Sequence, residues 1–249
     1  MPKRTGRTVR AGVVVAGTAL LGDAVLITAS VLHRLVPEDG PLGFLTLGRW
    51  NGNRDGTFAE LWGGLQLGLA AGLLLATALL LRRGEPWGRA STVYVAWAAV
   101  LTTIAVDDYF MIHERAGKGL VSAFGISGLL GLRGQDLGEL LVWLVLAGVL
   151  GSLLAVGHVR APRRARRDSF VFLVLTVFLA AFGVVLDMLN IALHGVVGAG
   201  ALSVTTHVET SGELVAMTFL LLWAVHVLIR ERIDAQRGAR GRGGLVDRS

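Results

Sequence analysis

Cysteine is absent from the 249 residues. That absence excludes disulfides, thiolate nucleophiles and thiolate metal sites together, so any metal bound by this chain would use carboxylate oxygen and imidazole nitrogen. Charge is scarce as well: Asp, Glu, Lys and Arg make up 17% of the residues against 53% hydrophobic ones, and the mean hydropathy is +0.62. That balance excludes a soluble domain of ordinary surface and makes a membrane class the starting expectation.

Apolar runs long enough to cross about 30 Å of hydrocarbon recur along nearly the whole chain. They predict an all-α, polytopic bundle of six transmembrane helices, at about 11–33, 58–81, 90–113, 137–159, 169–194 and 208–229. One transmembrane domain (11–230) is expected between a basic tail (1–10) and a disordered basic tail (231–249). The first run is too long for the apolar core of a signal peptide, carries Asp23 and leads into further spans, so it reads as a retained helix.

The net charge of +6 could suggest nucleic acid, so the position of the bases matters. Of the 24 Lys and Arg, 18 fall in the N-terminal tail, the 82–89 turn, the 158–168 turn and the C-terminal tail. Only Arg34, Arg49, Arg54, Arg115, Lys118 and Arg133 lie in the alternate loops. The positive-inside rule then predicts a bacterial-type plasma membrane protein with both termini cytoplasmic. Runs such as Arg163-Arg164-Ala165-Arg166-Arg167 are explained by topology and anionic headgroups, so membrane lipids and not nucleic acid are the expected partners. Oligomeric state leaves no signal in the sequence.

A pattern repeats along the chain. The even-numbered spans open with a small residue, a glutamate and a leucine: Ala59-Glu60-Leu61, Gly138-Glu139-Leu140 and Gly212-Glu213-Leu214. The odd-numbered ones end near His33, His113 and His194, with Asp23, Asp107 and Asp187 before them. Three helical hairpins of one pattern are expected.

Topology then gathers the acids and histidines at the outer ends of the helices. Residues seven apart differ by about 20° around a helix, which places Asp107 with Glu114, and Asp187 with Asn190 and His194, on single faces; Glu209 and Glu213, four apart, also share one. Ionisable groups in spans are costly and face the bundle interior. So many carboxylates in one place require either protonation or a cation. The donors suit Zn, Mn or Fe, although the Glu-x-x-His spacing of di-iron bundles is missing.

Each residue also has a plain structural role to fill. Glu60, Asp136, Glu139 and Glu209 stand in first turns, where a negative side chain favours and can cap a helix N-terminus. His33, His158, His207 and His226 suit interfaces with one end wet. Asp23, Gln66 and Asn190 suit interhelical hydrogen bonds. Trp50, Trp62, Trp87, Trp143 and Trp223 include several near span ends, as an aromatic belt requires.

The segment Asp107-Asp108-Tyr109-Phe110-Met111-Ile112-His113-Glu114 resembles that of a group of uncharacterised bacterial multi-pass membrane proteins, in which an acidic pair, four residues and His-Glu close a helix. Asp187-Met188-Leu189 and the Glu-x3-Glu-Leu of Glu209 to Leu214 are similar to that group too, and Asp108 departs from it in standing where it has Glu. No activity is assigned to the group, so the resemblance implies a site and not a chemistry. A second likeness runs by analogy to the membrane metallohydrolases that include alkaline ceramidases and adiponectin-type receptors, which bind zinc through histidines and an aspartate. Those have seven helices and a late His-x3-His, and this chain has neither.

The expectation is a metal-dependent membrane enzyme, a hydrolase or oxidoreductase, whose site opens toward the outer leaflet and acts on a lipid or other amphiphile. Asp107, His113, Glu114, Asp187, His194, Glu209 and Glu213 are its candidate metal ligands, with Asp108 and Glu139 as acid–base groups beside them. A proton- or cation-coupled transporter or sensor would use the same acids, but the inner halves of the spans offer little beyond Thr and Ser as a polar path. The third alternative is a non-catalytic membrane partner protein.

Overall fold

The computed structural model describes residues 3–37, 39–51, 56–82, 89–129, 131–193 and 196–246. Among them there is no strand, only an isolated bridge between Leu129 and Leu132. In chain order the helices are α1 (Lys3–Leu32), α2 (Phe58–Arg82), α3 (Arg89–Phe110), α4 (Ile112–Phe124), α5 (Gly134–Arg160), α6 (Arg163–Ala180), α7 (Asp187–Leu193) and α8 (Ala199–Val246). Two 3-10 turns, Gly43–Thr46 and Gly48–Trp50, lie between α1 and α2, and a π-helical segment, Ala181–Leu186, joins α6 to α7. Six helices are long and apolar enough to cross a membrane: Arg10–Leu32, Phe58–Arg82, Arg89–Phe110, Gly134–Arg160, Arg163–Leu193 and Gly200–Arg237.

Local sequence explains the boundaries. Thr57 precedes α2 and its hydroxyl accepts from the Glu60 backbone N–H, half of a capping box. At the start of α5, Asp136 reaches back to the Arg133 backbone N–H at 2.7 Å, the other half of the same motif. Pro162 separates α5 from α6. α4 ends at Gly125, whose φ of 63° is the left-handed stop that glycine accepts without strain. The 231–246 stretch, read from sequence as a tail, continues α8.

The centre of the bundle is α2, α3 and α8. Leu67, Leu74, Trp97, Leu101, Leu220 and Ala224 are buried there, while large apolar side chains on α1, α5 and α6, such as Val13, Leu144 and Val177, face outward. Such an outward surface suits lipid better than water.

One buried polar cluster ties this centre together. Asp23 accepts from Trp62 Nε1 at 3.0 Å, from Gln66 Nε2 at 2.9 Å and from the Thr218 hydroxyl at 2.6 Å. Trp62 reaches it by laying its ring across Gly22, where any Cβ would collide with the indole. Asp23 thus fills the interhelical role its sequence position suggested, and Trp62 is a partner rather than an interfacial anchor. Bonds of this kind contribute roughly 0.6 kcal/mol each; their larger effect is to fix α1 against α2 and α8.

Candidate functional site

The site is built where α3 stops. Helix α3 ends at Phe110, and Met111 turns the chain with a φ of 49°, an uncommon conformation for a residue with a side chain. α4 therefore starts as a separate helix, and its first N–H groups need acceptors. Asp107, only 2% exposed, supplies one: its Oδ1 accepts from the His113 backbone N–H at 2.8 Å. Its Oδ2 meets His113 Nδ1 at 2.7 Å. A carboxylate against Nδ1 assigns the ring proton to that nitrogen and leaves Nε2 as the acceptor of the neutral imidazole. Trp143 of α5 lies against the ring, centroids 5.5 Å apart.

Burial alone would lower the His113 pKa, but the hydrogen bond to Asp107 and the negative charges of Asp107, Glu139 and Glu114 outweigh it and hold the imidazole above its ordinary value. α4 is held down by a backbone crossing with α5. Gly117 and Gly138 are so close that a Cβ on Gly138 would lie 2.6 Å from the Gly117 carbonyl oxygen.

His113 opens onto a cavity of about 300 Å³ between α3, α5, α6 and α8. Its walls are apolar, with Val100, Ile104, Leu150, Leu154 and Leu179 among them. Asp108, His113 and Glu213 are its charged or titratable lining residues. It extends along α3 from Trp97 to Asp108, along α5 from Trp143 to Leu154 and along α6 and the π segment from Leu173 to Val184, in each case a rise of about 16 Å. Glu213 lies against Gly183 of the π segment, where a Cβ would overlap its carboxylate. The acids Asp108, Glu209, Asp187 and Glu60 are among its charged neighbours.

The family described as Domain of unknown function (DUF8692) matches residues 18–228. The chain belongs to that family. No curated protein and no solved structure matches it. The matched part of this DUF8692 chain takes in the Asp23 cluster, the Asp107–His113 pair and the whole cavity lining, and stops just short of Arg230.

The structure rearranges several of the sequence expectations for this DUF8692 member. Asp107 and Glu114 do not share a helical face, because Met111 breaks the helix between them. Among the described residues no three His, Asp or Glu groups lie together as a metal site. The reason is visible in their partners. Asp107 is engaged by His113 at both oxygens. Glu114 pairs with Lys118 at 3.2 Å. Glu209 accepts from Asn190 at 2.7 Å, and Asn190 also accepts from the Thr205 hydroxyl. Glu139 accepts from Gln135 at 2.8 Å.

Of the acids in the expected set, Glu213 and Asp108 line the cavity. Asp187, at the first turn of α7, has Glu139, Asp136 and His113 as charged neighbours and Arg133 as the base. His194 lies outside the described residues. Glu60 and Asp136 have capping partners, Gly56 N–H and Arg133, as their first-turn positions suggested.

Sequence reasoning missed a polar network at the opposite end of the bundle. Asp168, 1% exposed, accepts from Arg230 Nη1 at 2.9 Å and from the Tyr94 hydroxyl at 2.7 Å. Beside it, Trp97 Nε1 donates to the Ser169 hydroxyl at 2.8 Å, and His158 Nδ1 lies 3.2 Å from the same oxygen. The expectation of helices with little but Thr and Ser at that end is therefore corrected. The available signal was Tyr94, one turn before Trp97, and an aspartate inside a basic run.

Proposed function

We propose that this chain is a multi-pass membrane enzyme that performs general acid–base chemistry on the head of a membrane amphiphile, with His113 as the base and Asp107 as its positioning residue. The observation that carries the proposal is the two-point hold of Asp107 on His113 at the polar end of an otherwise apolar cavity. A carboxylate on Nδ1 fixes the tautomer and orientation that a base needs. The apolar length of the cavity suits a hydrocarbon chain whose head stops at Asp108, His113 and Glu213.

In this reading both termini are cytoplasmic and the His113 end faces outward, supported by the distribution of Lys and Arg. The three-hairpin pattern places an acid at the outer start of each returning helix. The bond attacked is an ester or amide at the amphiphile head. His113 takes one proton from water as the water oxygen adds to the carbonyl carbon, then returns it to the departing alcohol or amine, giving a free acid.

The test is product analysis by mass spectrometry after incubating the purified protein with lipid extracts in nanodiscs. A free acid should accumulate, and His113→Gln should reduce its rate by about 100-fold or more. No new product, or a rate untouched by that substitution, overturns the proposal.

A second reading, proton-coupled transport, is supported by Trp97: it lines the cavity and bonds to Ser169 beside His158, so polar groups stand at both ends of the same space. Proton flux into proteoliposomes that depends on both Glu213 and His158 would favour it over catalysis.

A further inference from the structure

We infer that the substrate presents one unbranched acyl chain of about a dozen carbons to the cavity, and that Trp97, at its inner end, is the residue that sets this length. This rests on the reading above, which places the reacting head at the His113 end, and names the substrate class that the reading leaves open.

Three walls agree on the length. The lining runs from Trp97 to Asp108 on α3, from Trp143 to Leu154 on α5 and from Leu173 to Val184 along α6 and the π segment, each a rise of about 16 Å. An extended chain of carbon–carbon bonds of about 1.5 Å advances about 1.25 Å per carbon, so about a dozen carbons fill that distance. A space of about 300 Å³ holds roughly ten groups of water size, at about 30 Å³ each, enough for one such chain and not for two.

The inner end is a floor that resists being pushed back. Trp97 lines it and is buried. Its Nε1 donates to Ser169 Oγ at 2.8 Å, and its ring lies against Phe172, centroids 5.5 Å apart, so the indole is held by its polar edge and by its apolar face. Behind it, one turn further in along α3, the Tyr94 hydroxyl donates to Asp168, which also accepts from Arg230. A methylene group driven into that network would part buried polar groups from their partners, whereas Leu150, Leu154 and Leu173 on the cavity side offer it apolar contact. A longer chain therefore has to crowd the cavity or leave its end outside, and a shorter one leaves a void.

Gly151 of α5 bears on the same length. It lines the cavity, about 12 Å from Trp143 along the helix, and a Cβ there would meet no atom within 4 Å. A larger side chain can be added at Gly151 without moving backbone.

The experiment is binding of radiolabelled dodecylglycerol to the full chain in nanodiscs, an ether standing in for the ester so that nothing is hydrolysed. The octyl, decyl, tetradecyl and hexadecyl ethers compete at equal concentration in the lipid, and counts on protein-free nanodiscs are subtracted. The dodecyl ether should bind about fivefold or more tighter than the octyl and hexadecyl ethers. Trp97→Leu should move the preference to tetradecyl or hexadecyl, and Gly151→Leu should move it to decyl or octyl. Where Trp97→Leu does not unfold cooperatively in a thermal scan, Trp97→Phe takes its place.

Equal binding of all chain lengths, or a preference that stays at dodecyl in the folded Trp97 variant, overturns the inference. Dodecanoylglycerol, the ester itself, separates the two proposals. Dodecyl-selective binding with no dodecanoic acid released removes the enzymatic reading and leaves this one standing, and acid released at rates indifferent to chain length does the reverse.

Discussion

Asp107 and His113 stand on different helices and are joined at two points, carboxylate to backbone N–H and carboxylate to ring Nδ1. One side chain thus starts α4 and aims the imidazole. The consequence for pH can be given a sign. The His113 pKa is raised in the folded protein, above an ordinary value of about 6.5. The stability contributed by the pair is fully present below that ordinary value and is lost as pH rises through the raised one. Base catalysis behaves in the opposite way and sets in as pH rises through it.

Asp107→Asn removes the hydrogen-bonded charge and leaves burial, which lowers the imidazole pKa. The acid limb of the pH–rate profile should move to lower pH while the maximal rate falls at least tenfold. A histidine titration followed by NMR checks the shift directly, and an unchanged His113 titration would refute the account of the pair.

Gly138→Ala places a methyl group against the Gly117 carbonyl. Backbone cannot yield there as a flexible side chain would, so α4 should lift from α5 and carry His113 away from Trp143. The expected result is loss of activity with little change in helical content by circular dichroism. Gly183→Ala meets only the end of the Glu213 side chain and should be milder, weakening ligand binding with the fold intact.

Arg230→Met leaves Asp168 buried beside Tyr94. Breaking a buried pair on one side costs about 3–5 kcal/mol, seen as a lower Tm in detergent. Adding Asp168→Asn should recover a large part of the loss, because the second change removes the unpaired charge. Failure of the double variant to recover any stability would mean the network does not depend on that pair.

Asp23→Ala strips Trp62, Gln66 and Thr218 of their common acceptor. Stranded buried donors cost about 1–3 kcal/mol, so Tm should fall. Product formation by the fraction that stays folded should continue, since this cluster lines no part of the cavity. Thermal scans paired with activity at low temperature separate the two effects.

The number and rough placement of the six long helices were legible because apolar length is a bulk property that does not depend on any one residue. Asp23 was legible as an interhelical group because nothing else satisfies a carboxylate so deep in an apolar run. The end of α3 was not, because a left-handed turn is signalled by Gly or Asn and Met111 gives no such sign. α4 carried the Glu114–Lys118 spacing of a helix, but its sequence sits where a loop was expected. Asp168 and Arg230 were lost to a simple count of bases: Arg230 looked like a headgroup anchor until the fold brought Tyr94 and Asp168 beside it.

The π segment at Ala181–Leu186 amounts to an inserted residue inside a helix. Each residue advances an α-helix by about 100°, so every side chain after Leu186 is turned by about that angle from where an uninterrupted helix would put it. Deleting one residue between Ala181 and Leu186 would restore regular winding, and the polar face of α7 would swing off α8. Asn190 would then lose Glu209 and Thr205, while the bulk of α6 kept its place. A shortening of one residue, tolerated by hydropathy and by length, would in this helix act as a rotation.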